Sequence, residues 1–262
     1  MNDKAVAEYI VKWLGDYLDA SYSKGFVVGI SGGVDSAVTS VLAAMTGKPT
    51  LCVSLPIHQP AGHLSRAEEH IGLLEKRFGN VNAASVDLTS AYDTFVGSFS
   101  PERDSGRIDL TNANTRARLR MTALYYFAGV GNLLVTGTGN KIEDFGIGFF
   151  TKYGDGGVDI SPIGDLTKSE VFSLASYLGV SLSILDAPPA DGLFDDDRSD
   201  EDQIGASYPE LEWAMEQAES GASVESFTGR KREVYEIYIN RNRANRHKMA
   251  TPPVCIIPEN IK

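Results

Sequence analysis

The sequence predicts an α/β fold, a doubly wound parallel sheet with helices on both faces and further helices at the C-terminus. Three observations carry this. Short apolar runs rich in β-branched residues alternate along the chain with stretches of helical periodicity, the pattern of parallel strands joined by crossover helices. The first of these runs is followed at once by the glycine pair Gly32-Gly33 and then by a helix pattern. The chain has 262 residues, 42% of them hydrophobic, which is enough for one large core.

In chain order, "MNDKAVAEYIVKWLGDYL" (1–18) is amphipathic and mixes acids with lysines. It lacks a cleavable apolar core and reads as a helix rather than a signal peptide. "FVVGI" (26–30) is a strand and 36–46 a helix, with Asp35 or Ser36 expected as its N-cap. "TLCVSL" (50–55) and "NAASVDL" (82–88) are strands, separated by a helix over 65–77. The polar, turn-rich stretch 98–110 reads as an excursion.

A helix over 113–129 carries Ala117, Met121, Leu124, Tyr125 and Ala128 on one apolar stripe. Arg118, seven residues before Tyr125, falls on that stripe, where an unpaired charge is costly and a snorkelling route or partner is needed. Arg116 and Arg120 point away, where solvation suffices. "NLLVTG" (132–137) is a fourth strand. The acidic run 191–202 lacks the pattern of a calcium loop and reads as solvated loop. Two helices, 208–219 and 224–247, close the chain.

The net charge of −11 argues against nucleic acid as a partner. Cys52 and Cys255 lie far apart and form no CxxC, so neither a zinc site nor a disulfide framework is suggested. The longest apolar stretch, 124–135, is too short to cross a bilayer, and a cytoplasmic address without membrane partners is expected.

At 29–36 a strand, a glycine turn and a helix N-terminus converge, an arrangement suited to phosphate because free backbone N–H groups and the positive end of a dipole meet there. A plain glycine-rich turn accounts for the same local pattern. GxxxxGK[ST] is absent. "SGGVDS" (31–36) resembles the SGGxDS signature of the ATP pyrophosphatase, or PP-loop, family, whose members cleave ATP between its α and β phosphates. Within that group, the block 136–171, from GTxxxxE through "FFTKYGDGG" to "LTK", resembles the NAD synthetases. So do "ARLRM" at 117–121 and the His247-Lys248 pair before Pro252 and Pro253. Arg241, Arg243, Arg246 and Lys248 cluster there, either toward an anionic ligand or against a helix dipole.

The resemblance implies an adenine nucleotide alpha hydrolase-like, Rossmann-like fold over one domain, 1–262, with no glutaminase domain. It implies ammonia-dependent amidation of deamido-NAD through an acyl-adenylate, with release of AMP and pyrophosphate. ATP would meet Gly29, Ile30, Ser31, Gly32, Gly33, Val34, Asp35, Ser36, Thr138, Lys168 and Pro189. Mg²⁺ would be held by Asp35 and Glu143. Asp35 and Lys168 would act in catalysis, with Asp155 near the incoming ammonia. Arg118, Lys152, Asp159, His247 and Lys248 would contact the dinucleotide. Family members are homodimers with the site at the interface, so a dimer is expected.

Two positions depart from the family pattern, Val34 for its usual Gln and Pro189 for Thr or Ser, and 56–66 matches it only loosely. Competing readings are another PP-loop ligase, a tRNA-modifying enzyme, or a silent adenine-nucleotide-binding protein. Thiolation members need catalytic cysteines and tRNA users a basic face, and neither is evident.

Overall fold

The computed structural model describes residues 1–59, 61–99, 107–189 and 199–262. Most of the excursion read at 98–110 and most of the acidic run lie outside them. Strands β1 (Gly25–Gly29), β2 (Thr50–Ser54), β3 (Val81–Ser85) and β4 (Leu133–Val135) form one parallel sheet in the order β3-β2-β1-β4. The chain winds outward from β1 through β2 to β3, then returns to place β4 on the other side of β1. The order therefore reverses between β1 and β4, and ligands bind at such switch points, beyond the strand C-termini.

Both faces of the sheet are covered. On β1, Phe26 and Val28 join the core beneath helices α1 (Asp3–Ser21), α2 (Val34–Met45), α3 (Ala61–Arg77) and α6 (Lys168–Leu178). Val27 joins Val53, Val135 and Ala128 under helix α5 (Ile108–Gly131) on the opposite face. This is the period-2 alternation of a strand buried on both sides. α1 buries Ala7, Ile10, Leu14 and Leu18, one stripe at three- and four-residue spacing.

The elements recovered from sequence differ mainly at their ends. α2 begins at Val34 with Gly33 as its N-cap in an extended conformation, not at Asp35 or Ser36. Neither side chain is free to cap in the usual way, because Asp35 is bonded to Lys168 and Ser36 to the glycine loop. The C-terminal pair are α9 (Tyr208–Glu219) and α10 (Gly229–Met249), the second preceded by a short 3-10 turn at Val224–Ser226. Helices α4 (Thr89–Gly97), α6, α7 (Leu182–Leu185) and α8 (Asp200–Ile204) were not anticipated, nor was a π-helical turn at Lys141–Ile147. α8 includes the end of the run read as solvated loop. A separate core joins Ile142 and Ile147 of the π turn to Leu211, Ala214, Val234 and Tyr238 of α9 and α10. No described helix is long and apolar enough to cross a membrane.

Between α2 and α3, His70 is buried and its Nε2 lies 2.9 Å from Ser40 Oγ. Burial holds its pKa at about 4 against 6.5 for the free side chain. The unfolded chain therefore binds a proton below pH 6.5 that the folded chain refuses. Stability is complete above that pH and is lost as pH falls toward 4. Urea unfolding at pH 7.5 and pH 5 is expected to show His70 contributing a loss of about 2 kcal/mol, absent from His70→Leu.

Candidate active site

The glycine loop leaves the C-terminal end of β1. Gly32 has φ +85°, and a Cβ there would sit 2.5 Å from the His63 carbonyl oxygen and 3.2 Å from Ala67 N. Glycine is thus required twice, for the left-handed backbone and for the close packing of α3. The loop is laced internally: Gly33 N donates to Ser31 Oγ at 3.2 Å and Ser36 Oγ donates to the Gly33 carbonyl at 2.9 Å. Val34, the departure from the family pattern, is the first residue of α2 and is buried in the main core. Its side chain anchors the first turn of α2 by packing.

Behind the loop the chain gathers four distant segments around one cation. Lys168, the first residue of α6, is buried and donates to Asp35 Oδ2 at 2.6 Å and to Glu143 Oε1 at 3.0 Å. Asn140 Nδ2 donates to Asp35 Oδ1 at 3.0 Å, while its own Oδ1 caps the π turn at Ile142 N and Glu143 N. Tyr208 Oη donates to Glu143 Oε1 at 2.5 Å and to Asp200 Oδ2 at 3.3 Å. The Lys168 ammonium lies 4.9 Å from the Tyr208 ring centroid.

Burial alone would strip Lys168 of its proton, but the Asp35 and Glu143 carboxylates outweigh it and hold its pKa well above the usual range. Burial likewise opposes both carboxylate charges. Lys168 and the Tyr208 hydroxyl overcome it at Glu143, whose pKa falls, whereas at Asp35 burial wins and the pKa rises. The two carboxylates converge on a single cation position.

Among the described residues no three His, Cys, Asp or Glu side chains form a metal cluster. A hard cation held by Asp35 and Glu143 would draw its other ligands from phosphate oxygens and water, the usual mode for Mg²⁺. The donor set fits that ion.

This network forms the floor of a cavity of about 150 Å³, walled by Ser31–Ser36, His63, Arg66, Thr138 and Pro189. Pro189 presents no hydroxyl, and its carbonyl accepts a hydrogen bond from Asp200 N at 3.0 Å. A second cavity of about 260 Å³ adjoins it, lined by Gly29, Ile30, Val53, Leu55, Gln59, Met121, Leu124 and Val158. Ser31, Thr138 and Asp155 line both. Asp155 accepts from Thr151 N at 3.0 Å with its outer face open to the cavity; crowding by protein elsewhere moves its pKa upward.

None of the expected dinucleotide residues lines either cavity, and three of them, Arg118, Lys152 and His247, are joined to one another. Arg118 Nε donates to the Lys152 carbonyl at 3.3 Å, and Lys152 Nζ donates to the His247 carbonyl. Arg118 is exposed rather than part of a buried stripe, because the buried face of α5 is only Ala113, Ala117 and Ala128. Tyr125, expected on that stripe, is also more than a third exposed. Lys248 donates to the Gly148 and Phe150 carbonyls at 2.6 and 2.7 Å, fastening the "FFTKYGDGG" loop to α10. Asp159 accepts from Tyr125 Oη at 2.9 Å and Val135 N at 2.8 Å. Arg241 bonds the Gln203 and Ile204 carbonyls at the end of α8, so the basic cluster is divided among separate tasks.

Sequence reasoning missed Arg66, Asp144 and Asp200 at the first cavity, and Asn140 and Tyr208 in the network beneath it. It also assigned Arg120 to solvent. Arg120 Nε instead donates to the Leu55 carbonyl at 2.9 Å and its Nη2 to Gln59 Oε1 at 2.8 Å, bracing the wall of the second cavity.

The NAD synthase family model matches residues 6–252. The chain belongs to that family. An NH3-dependent NAD(+) synthetase of Syntrophomonas wolfei is 34% identical with the whole of both chains covered. A solved structure of an NMN synthetase from Francisella tularensis superposes with a TM-score of 0.81 at 33% identity, covering 99% of each chain. An NH3-dependent NAD synthetase from Campylobacter jejuni gives 0.78 at 25% identity, covering 98% of this chain and all of that one. Residues 6–252 include the glycine loop, the cation network and the C-terminal helices α9 and α10.

Proposed function

We propose that the chain amidates the nicotinate carboxylate of deamido-NAD with ammonia, using ATP and releasing AMP and pyrophosphate. The observation that carries this is the buried Lys168 gathered between Asp35 and Glu143 behind the "SGGVDS" loop, in a chain of the NAD synthase family.

A carboxylate resists attack by a nitrogen nucleophile until it gains a leaving group. One of its oxygens attacks the α phosphorus of ATP, the bond to the β phosphate breaks, and pyrophosphate departs. Ammonia then adds to the acyl carbon, AMP leaves, and a proton is lost from nitrogen. The glycine loop offers backbone N–H groups to the pyrophosphate, and Lys168 a buried positive charge beside it. Mg²⁺ held by Asp35 and Glu143 would neutralise charge on the departing phosphates. Asp155, which lines both cavities, would accept hydrogen bonds from ammonia. The larger, more apolar cavity, braced by Arg120, suits the adenosine of ATP.

The linked residues Arg118, Lys152 and His247 would take the dinucleotide. Arg118→Ala is expected to raise KM for deamido-NAD at least tenfold while KM for ATP stays within twofold. Steady-state kinetics with each substrate varied check this, and unchanged kinetics would remove Arg118 from the site.

We further place the protein in the cytoplasm as a homodimer. On one face of α5, Tyr126 and Val130, four residues apart, are 69% and 74% exposed, an apolar surface that a second copy would cover. Sedimentation equilibrium tests the mass.

A second reading keeps the chemistry and shortens the acceptor. The Francisella tularensis neighbour is an NMN synthetase, and it matches this chain over nearly its full length. Parallel assays with deamido-NAD and with nicotinate mononucleotide decide between the two; the larger kcat/KM names the substrate.

A further inference from the structure

We propose that Arg66 is a phosphate-binding residue of this site, reaching the β and γ phosphates of ATP and hence the departing pyrophosphate. The proposal rests on the reading of the first cavity as an ATP site and adds to it a cation from a segment where the family pattern is only loosely matched.

Its placement comes from the packing of α3 on the glycine loop. Gly32 is so close to the first turns of α3 that no Cβ fits between them. That contact brings Arg66 over the loop, where its Nε donates to the Gly32 carbonyl at 3.3 Å. Arg66 is half-buried and lines the same cavity as Ser31, Asp35, Thr138 and Lys168. Among the described residues its guanidinium is held at Nε only, which leaves both terminal nitrogens for a bidentate grip on phosphate oxygens.

Charge makes the case from the other direction. Asp35, Glu143, Asp144, Asp155 and Asp200 all line the cavity. Lys168 is already engaged by two of them. A triphosphate entering there adds several more negative charges and needs cations not committed to carboxylates. Among the described residues, no carboxylate is within ion-pair distance of Arg66. Even with a metal ion at Asp35 and Glu143, the outer phosphates would lie against the glycine loop, on the side where Arg66 stands.

Calorimetric binding to the full chain with Mg²⁺ present tests this without turnover, using ATP, inorganic pyrophosphate and AMP as separate probes. Arg66→Ala is expected to weaken ATP and pyrophosphate about ten- to a hundredfold while AMP stays within twofold. Arg66→Lys, which keeps the charge and loses the fork, should fall between wild type and alanine. Unchanged ATP and pyrophosphate affinities would overturn the proposal. So would an equal loss for all three probes in both variants, which would mark Arg66 as a support for α3 only. A wild-type chain that binds neither ATP nor pyrophosphate would instead overturn the functional reading beneath it.

Discussion

Lys168→Ala is expected to abolish turnover and to destabilise the fold together, because one ammonium serves both. Its removal leaves Asp35 and Glu143, both half-buried, facing each other with Asp200 close behind. Deleting one partner of a buried ion network costs about 3–5 kcal/mol. For a chain of this size that lowers the melting temperature on the order of 10 °C. Turnover should fall by about a hundredfold or more, the usual consequence of losing a charge aimed at a developing anion. The variant also has a signature of its own. Its two unpaired carboxylates should be repaired in part by added Mg²⁺, so its melting temperature should climb with Mg²⁺ more steeply than that of wild type. Differential scanning calorimetry across a Mg²⁺ series checks this. A flat response would show that Asp35 and Glu143 do not form a metal position.

Asp35→Asn should separate the two roles. The amide is nearly isosteric, and Lys168 keeps Glu143 as a counter-ion, so the stability loss should be about 1–2 kcal/mol. Activity should nevertheless fall by about a hundredfold or more, since an amide is a weak ligand for a hard divalent cation. Raising Mg²⁺ should recover only part of it. Retention of full activity at low Mg²⁺ would exclude Asp35 from the metal position.

The parts of this site that were legible in sequence are the local ones. A strand, two glycines, an acid and a helix lie within a dozen residues, so the β1–α2 seam could be read with little error. The "FFTKYGDGG" block was equally contiguous. What escaped were contacts made across the fold. Tyr208 reaches Glu143 over 65 positions, and Arg120 reaches Leu55 over a similar span. Helical periodicity places a residue around its own axis and cannot say what stands opposite, so Arg120 seemed solvated and Arg118 seemed buried.

Some misses had a usable signal. Thr167-x-x-Glu170, Ser199-x-x-Asp202 and Ser207-x-x-Glu210 each form a capping box in the structure, opening α6, α8 and α9. Reading them would have found α6 and α8, put Lys168 at the first turn of a helix, and turned the end of the acidic run into structure. Val34 needed the third dimension, because its burial in the main core is invisible along the chain.

The central claim is the reaction itself. Purified protein given Mg²⁺, ATP, deamido-NAD and ammonium should form NAD, AMP and pyrophosphate in equal amounts, followed by chromatographic separation of the nucleotides. Formation of ADP in place of AMP, or no amidated product at any ammonium concentration with either the dinucleotide or the mononucleotide acceptor, would contradict it.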